Sequence, residues 1–132
     1  MPEPRILLSG LMFPESPRWH DDRLWLADWG AQELVAVDLQ GRSEVIVNVP
    51  SFPFSMDWLP DGRLLIVSAS ARQLLRQERD GSMVTHADLS GLADHPWNEI
   101  VVDGRGNVYI NNIRFRLSRR RVRAGDRRPG HP

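Results

Sequence analysis

The sequence predicts an all-β fold built from a repeated four-stranded unit, and three observations carry that expectation. A short phrase recurs as Arg23-Leu24-Trp25-Leu26, Arg63-Leu64-Leu65-Ile66 and Asn107-Val108-Tyr109-Ile110: a tight turn, one polar residue, then apolar and β-branched residues. Its copies lie 40 and 44 residues apart, counted from Leu24 to Leu64 to Val108, the spacing of a β-propeller blade. Finally, no segment holds an apolar period near 3.6, whereas residues such as Val35, Ala36 and Val37 read as half-buried strand.

The first unit spans about residues 15–49. Strands are expected at 23–28, 34–38 and 44–49, separated by Trp29-Gly30-Ala31-Gln32 and Leu39-Gln40-Gly41-Arg42, each with a turn glycine. The second spans about 52–89. Asp61-Gly62 is a hairpin signal between strands at 55–59 and 63–68, and Asp80-Gly81 between strands at 73–78 and 82–87. The third begins near Trp97, turns at Gly104-Arg105-Gly106, and reaches Asn112 after two strands. Prolines at 14, 17, 50, 53, 60 and 96 are expected between strands or at their starts, where a missing N–H costs little. Residues 1–113 therefore read as about two and a half blades of an incomplete propeller.

Composition narrows the function. The 132 residues contain no cysteine, which excludes disulfides and thiolate metal sites. The apolar run from Ile6 to Phe13 is too short to span a bilayer and follows an acidic residue, Glu3, so a cytoplasmic protein with no membrane partner is expected. The net charge of zero hides a division. Residues 1–113 hold 9 Arg against 16 Asp and Glu, and residues 114–132 hold 8 Arg against Asp126 alone. That arginine-rich end carries too little apolar content to fold. A nucleic-acid arm and a natural disordered tail are two readings of it. The third, out-of-frame translation of G/C-rich codons, is preferred, because the pattern breaks in the middle of a blade. No nucleic-acid partner is then expected.

Two polar residues stand where inner blade strands begin: Glu15 in Phe13-Pro14-Glu15-Ser16-Pro17-Arg18-Trp19, and Asn98 in His95-Pro96-Trp97-Asn98-Glu99. With the repeats in register, Glu15 falls opposite Ser55 and Glu99, and Asn98 one place earlier. In a propeller such positions converge on the central channel, and a carboxylate with an amide oxygen suits a hard cation. The plainer alternative makes Glu15 a surface turn residue and Asn98 a strand-initiating cap. Trp97 and His95 could line the same mouth, although loop histidines are usually just solvated. The tryptophans at 19, 25, 29, 58 and 97 suit inter-blade packing. No Gly-x-Ser-x-Gly elbow and no phosphate-cradling glycine loop is present.

Glu15-Ser16-Pro17-Arg18-Trp19 with Arg23-Leu24-Trp25-Leu26-Ala27-Asp28 resembles the start of the senescence marker protein (regucalcin), gluconolactonase and luciferin-regenerating enzyme family. Trp97-Asn98-Glu99 through Asn107 is similar to that family's later Asn-Asp motif, with Glu99 where Asp is usual. The resemblance implies a six-bladed propeller with one divalent cation in its channel. Ca²⁺ is the first expectation, with Zn²⁺, Mg²⁺ or Mn²⁺ as alternatives. It implies hydrolysis of a small-molecule sugar lactone by a metal-polarised carbonyl and an activated water. Glu15 matches the first metal ligand and Asn98 the substrate-contacting asparagine. The other ligands, including the presumed base, find no match in residues 1–113, so a truncated member, inactive alone and without a catalytic residue of its own, is expected. The alternative is a non-catalytic propeller-repeat binding module. Pro96 stands where many members have arginine, so ligand recognition is expected to differ.

Overall fold

In the computed structural model, which describes residues 2–113, ten strands form three antiparallel sheets. The first contains β1 (Pro14–His20), β2 (Arg23–Asp28), β3 (Glu33–Val37) and β4 (Ser43–Asn48) in chain order. The second repeats that meander with β5 (Phe54–Trp58), β6 (Leu64–Ser68), β7 (Gln73–Gln77) and β8 (Met83–Asp88). The third pairs β9 (Trp97–Val102) with β10 (Val108–Asn112). These are the blades expected from the repeat. The expectations for residues 114–132 lie outside the described residues. No described helix is long and apolar enough to cross a membrane.

The turns follow from local chemistry. At Asp61-Gly62-Arg63, Gly62 has φ 91°, a left-handed conformation that side-chain-bearing residues rarely adopt. Its N–H donates to Leu59 O at 2.8 Å, while Asp61 Oδ1 accepts from Arg63 N at 3.1 Å. The same glycine-to-carbonyl bond closes the turns at Gly41, Gly81 and Gly106.

The cores lie between blades, because strand alternation sends side chains to both faces of each sheet. Trp25, Ala27, Leu34 and Ala36 of blade one meet Phe54, Met56, Leu64 and Ile66 of blade two. The odd-numbered neighbours Leu65 and Val67 face the other way, packing with Leu74, Leu89, Trp97 and Ile100 against blade three. Every residue of β6 is therefore buried. At roughly 1.5–3 kcal/mol for each large apolar side chain removed from water, these two layers are the main force holding the blades. Two polar contacts fix their registration: Trp29 Nε1 donates to Phe54 O at 2.7 Å, and Asp57 Oδ2 accepts from Val102 N at 2.7 Å.

Two local features depart from the sequence reading. Pro17 lies inside β1, not at its start, and is accommodated by a register shift between Glu15 and Arg18. Trp19 is 56% exposed and takes no part in the packing expected of it, whereas Trp25, Trp29, Trp58 and Trp97 are buried or half-buried. Residues 2–13 run beside blade one without becoming a strand. Arg5 reaches Leu39 O at 2.7 Å, and the N–H groups of Met12 and Phe13 donate to Asp28. That approach requires glycine at position 30, where a Cβ would come within 2.5 Å of Met12 Cβ.

Candidate functional site

The first strands of the three sheets, β1, β5 and β9, each pair with one neighbour only, and β5 lies beside both of the others. Their free edges line one side of the molecule, and polar side chains from all three meet there. Ser16 sits at the β1 register shift, 4% exposed and at φ 53°. A left-handed serine is uncommon, and here the shift forced by Pro17 turns its hydroxyl toward blade three. Ser16 Oγ lies 3.4 and 3.5 Å from the two Glu99 carboxylate oxygens. Arg18 extends past β5, its Nη2 2.6 Å from Glu99 Oε1 and 3.4 Å from both Ser55 Oγ and Ile100 O. The Ser55 hydroxyl also donates to Glu99 Oε1.

The electrostatics favour an ionised Glu99. Partial burial alone would raise its pKa, but the Ser55 hydroxyl, the Arg18 guanidinium and the Ile100 N–H together hold it below the usual glutamate range. With side-chain exposures of 24% and 38%, Arg18 and Glu99 form a partly screened pair joining blade one to blade three. Asn111 Oδ1 accepts from Glu99 N at 2.9 Å and fixes the irregular start of β9.

The residues singled out from sequence fall around this cluster. Glu15, exposed on β1, precedes Ser16, and half-buried Asn98 precedes Glu99. The Ser16–Glu99 contact thus brings the strand entrances bearing Glu15 and Asn98 together. Trp97 packs in the core between blades two and three, its indole N–H buried with no hydrogen-bond partner among the described residues. His95 is exposed in the loop before β9. With the repeats in register, Glu15, Ser55 and Glu99 hold equivalent positions; on β1 the residue that touches Glu99 through its hydroxyl is Ser16, next to Glu15. Arg18 was not foreseen. A proline at the fourth position of β1 was the available signal, since it implies a bulge that redirects the residues around it.

A divalent cation does not fit this arrangement. Among the described residues no three His, Asp or Glu side chains gather to hold a metal ion. Glu99 is engaged by Arg18 and Ser55. A hard cation takes six or more oxygens.

A larger cavity of about 370 Å³ opens at the opposite, hairpin end of blades one and two. There His20 stacks on Trp58 at 3.8 Å, with Trp25 edge-on to both. Several of its charges are already paired: Arg63 with Asp61 and Glu78 of the lining, and Arg23 with Glu44 outside it. The smaller inner-strand cluster, assembled from three blades, is the better candidate.

Residues 13–125 match the family model described as the SMP-30/gluconolactonase/LRE-like region. The chain belongs to this family. No curated protein matches it. Among solved structures, the SMP-30/gluconolactonase/LRE-like chain is similar to the Xanthomonas campestris gluconolactonase XC5397, with TM-score 0.68 and 17% identity over 80% of this chain and 37% of that one. It is also similar to the virginiamycin B lyase of Staphylococcus aureus, with TM-score 0.60 and 14% identity over 76% of this chain and 34% of that one. A streptogramin B lyase structure gives TM-score 0.60 and 14% identity, over 75% and 34% of the two chains. At these identities the likeness is one of fold. The chain spans about a third of the length of the structures it matches.

Proposed function

We propose that the inner-strand end of the blades is the ligand-contacting part of a lactone hydrolase, a carboxylic ester hydrolase of the gluconolactonase kind, and that this chain by itself binds a lactone without turning it over. The observation that supports this reading is the meeting of Ser16, Arg18, Ser55 and Glu99 from three blades, beside Glu15 and Asn98. Family membership and the gluconolactonase-like fold supply the reaction class.

Opening a lactone requires water to attack the carbonyl carbon, the acyl–oxygen bond to break, and a proton to reach the departing ring oxygen. Asn98 offers amide N–H and C=O groups to a ring hydroxyl or carbonyl, and the Ser16 and Ser55 hydroxyls offer further contacts. A general base needs a free carboxylate within reach of the attacking water. Glu99 is a poor one, because Arg18 and Ser55 occupy its Oε1 lone pairs. Glu15, which matches the family's first metal ligand by resemblance, has no group of three His, Asp or Glu gathered around it among the described residues, and we propose no cation-dependent step for this chain.

The test is D-glucono-1,5-lactone opening by the full chain, followed by acid release with Ca²⁺, with Zn²⁺ and without metal, alongside NMR titration of the lactone. The expected outcome is a rate equal to buffer plus metal, with lactone binding weakened about tenfold by Asn98→Ala, the loss expected of one ligand hydrogen bond. Metal-dependent turnover above buffer would show that a working centre is present. Absence of lactone binding would remove the ligand-contacting role.

A second reading, a non-catalytic binding module of propeller repeats, is favoured by one observation. Val101 and Tyr109, cross-strand partners on blade three, present an exposed apolar surface at 56% and 59% exposure. Cooperative thermal unfolding in a defined oligomer, with no lactone binding, would select it.

A further inference from the structure

We infer that Arg18 is a built-in counter-cation: its guanidinium occupies a cage of oxygens of the kind that binds a hard metal ion, and keeps divalent metal off Glu99. Four oxygens surround it. Glu99 Oε1 is 2.6 Å and Ser55 Oγ 3.4 Å from Nη2, Ile100 O is 3.4 Å from Nη2, and Pro17 O is 3.2 Å from Nη1. One carboxylate, one hydroxyl and two backbone carbonyls are the ligand types that coordinate calcium. Here, drawn from β1, β5 and β9, they converge on an organic cation.

The substitution has a physical logic. A divalent ion placed against Glu99 would sit within a few ångströms of a positive charge that no accessible pH removes. A single charge matched to Glu99 leaves the cluster neutral, and the planar guanidinium reaches three strands where a metal ion would need all its ligands within bonding distance. Pro17 is part of the device, since the register shift it causes both supplies one carbonyl and aims the next side chain across β5. This inference goes beyond the lactone reading and stands whether or not a lactone is the ligand.

The experiment is titration of the full chain with MnCl₂, reading free Mn²⁺ by electron paramagnetic resonance, and with CaCl₂ by calorimetry. Arg18→Met keeps an unbranched stem and removes the charged guanidinium. It is expected to bind Mn²⁺ at least about tenfold more tightly than the wild type, the effect of removing a nearby like charge. Arg18→Lys is expected to match the wild type. Adding Glu99→Gln to Arg18→Met is expected to return the affinity to the wild-type level. Equal Mn²⁺ affinity of the wild type and Arg18→Met would overturn the inference, as would tight binding that survives Glu99→Gln. Should Arg18→Met lose the near-ultraviolet circular dichroism of the folded chain, wild type against Glu99→Gln decides. Metal binding that this change removes from the wild type counts against the counter-cation, and binding indifferent to it counts in favour.

Discussion

In blade two, β6 is buried at all five positions, whereas its counterpart β10 in blade three alternates half-buried and exposed residues. Both follow a glycine-containing turn, pair antiparallel with their inner strand, and open on apolar residues, Leu64-Leu65-Ile66 and Val108-Tyr109-Ile110. They differ in their neighbours. Leu64 and Ile66 are covered by blade one and Leu65 and Val67 by blade three, while in blade three, among the described residues, only the side holding Ile100, Val108 and Ile110 packs against another sheet. A blade is thus a unit whose stability comes largely from the two interfaces beside it, as in other repeat architectures. The same geometry explains where the polar cluster forms. Edges of inner strands are the places that inter-blade packing leaves open, so Ser16, Arg18, Ser55 and Glu99 collect there.

The contrast should be largest in the core. Ile66 is fully buried against blade one, and Ile66→Ala is expected to cost about 3–4 kcal/mol through lost burial and the cavity left behind. Urea unfolding followed by tryptophan fluorescence would measure it. Leu65→Ala, on the opposite face of the same strand, should cost a similar amount. If Leu65→Ala were nearly neutral, blade two would be supported from one side only, and the two-interface account would fail.

Next in size is the junction between blade one and residues 2–13. Asp28 is 2% exposed and accepts from the N–H groups of Met12, Phe13, Gly30 and Ala31 at 2.8–3.3 Å. Burial by itself would raise its pKa. The four donors outweigh that effect and hold the carboxyl below its ordinary range. Asp28→Asn keeps the shape but replaces an acceptor oxygen by an NH₂ group facing other donors, at about 2–3 kcal/mol. The pH dependence follows from the same lowering. A carboxyl whose folded pKa is depressed contributes stability that is present above its unfolded value, near 4, and is lost as pH falls through the folded one. Glu99 acts with the same sign. Wild-type stability should therefore fall on acidification below about pH 4, and Asp28→Asn should flatten that fall. An unchanged acid limb in Asp28→Asn would show that the carboxylate does not carry it.

How much of this was legible beforehand depended on whether the cause was local. Turns such as Asp61-Gly62-Arg63 and Asp80-Gly81-Ser82 are set by residues a few places apart, and so the hairpins they predict are found, with β5, β6, β7 and β8 ending within about one residue of expectation. The same holds for β2, β3 and β4. β1 forms where an inner blade strand is expected to begin, at Glu15, although no bounds are expected for it; Pro17 falls inside it, tolerated because an inner edge strand can spare an N–H, with a bulge at that proline. Periodicity gives Glu15, Ser55 and Glu99 as equivalent repeat positions, but the bulge that makes Ser16 and Arg18 the β1 residues in contact with Glu99 is not written in that period. Pairings across 81 to 83 residues of chain are set by how sheets pack, and no local pattern announces them.

The smallest effect on stability is expected on the open face of blade three, and it sharpens the comparison most. Val101 and Tyr109 are cross-strand partners, each more than half exposed, and the Tyr109 hydroxyl makes a long, exposed hydrogen bond of 3.3 Å to Asp103 Oδ2. Changing both residues, Val101→Thr with Tyr109→Ser, removes apolar area that is already in water. The midpoint of urea unfolding should therefore move by no more than the equivalent of about 0.5 kcal/mol. An exposed apolar surface beside a strand edge also favours contact between copies. Sedimentation velocity should show association of the wild type that grows with concentration and is weakened in the double variant. A loss of several kcal/mol would mean that this face is covered in solution, and blade three would then be packed on both sides, as blade two is.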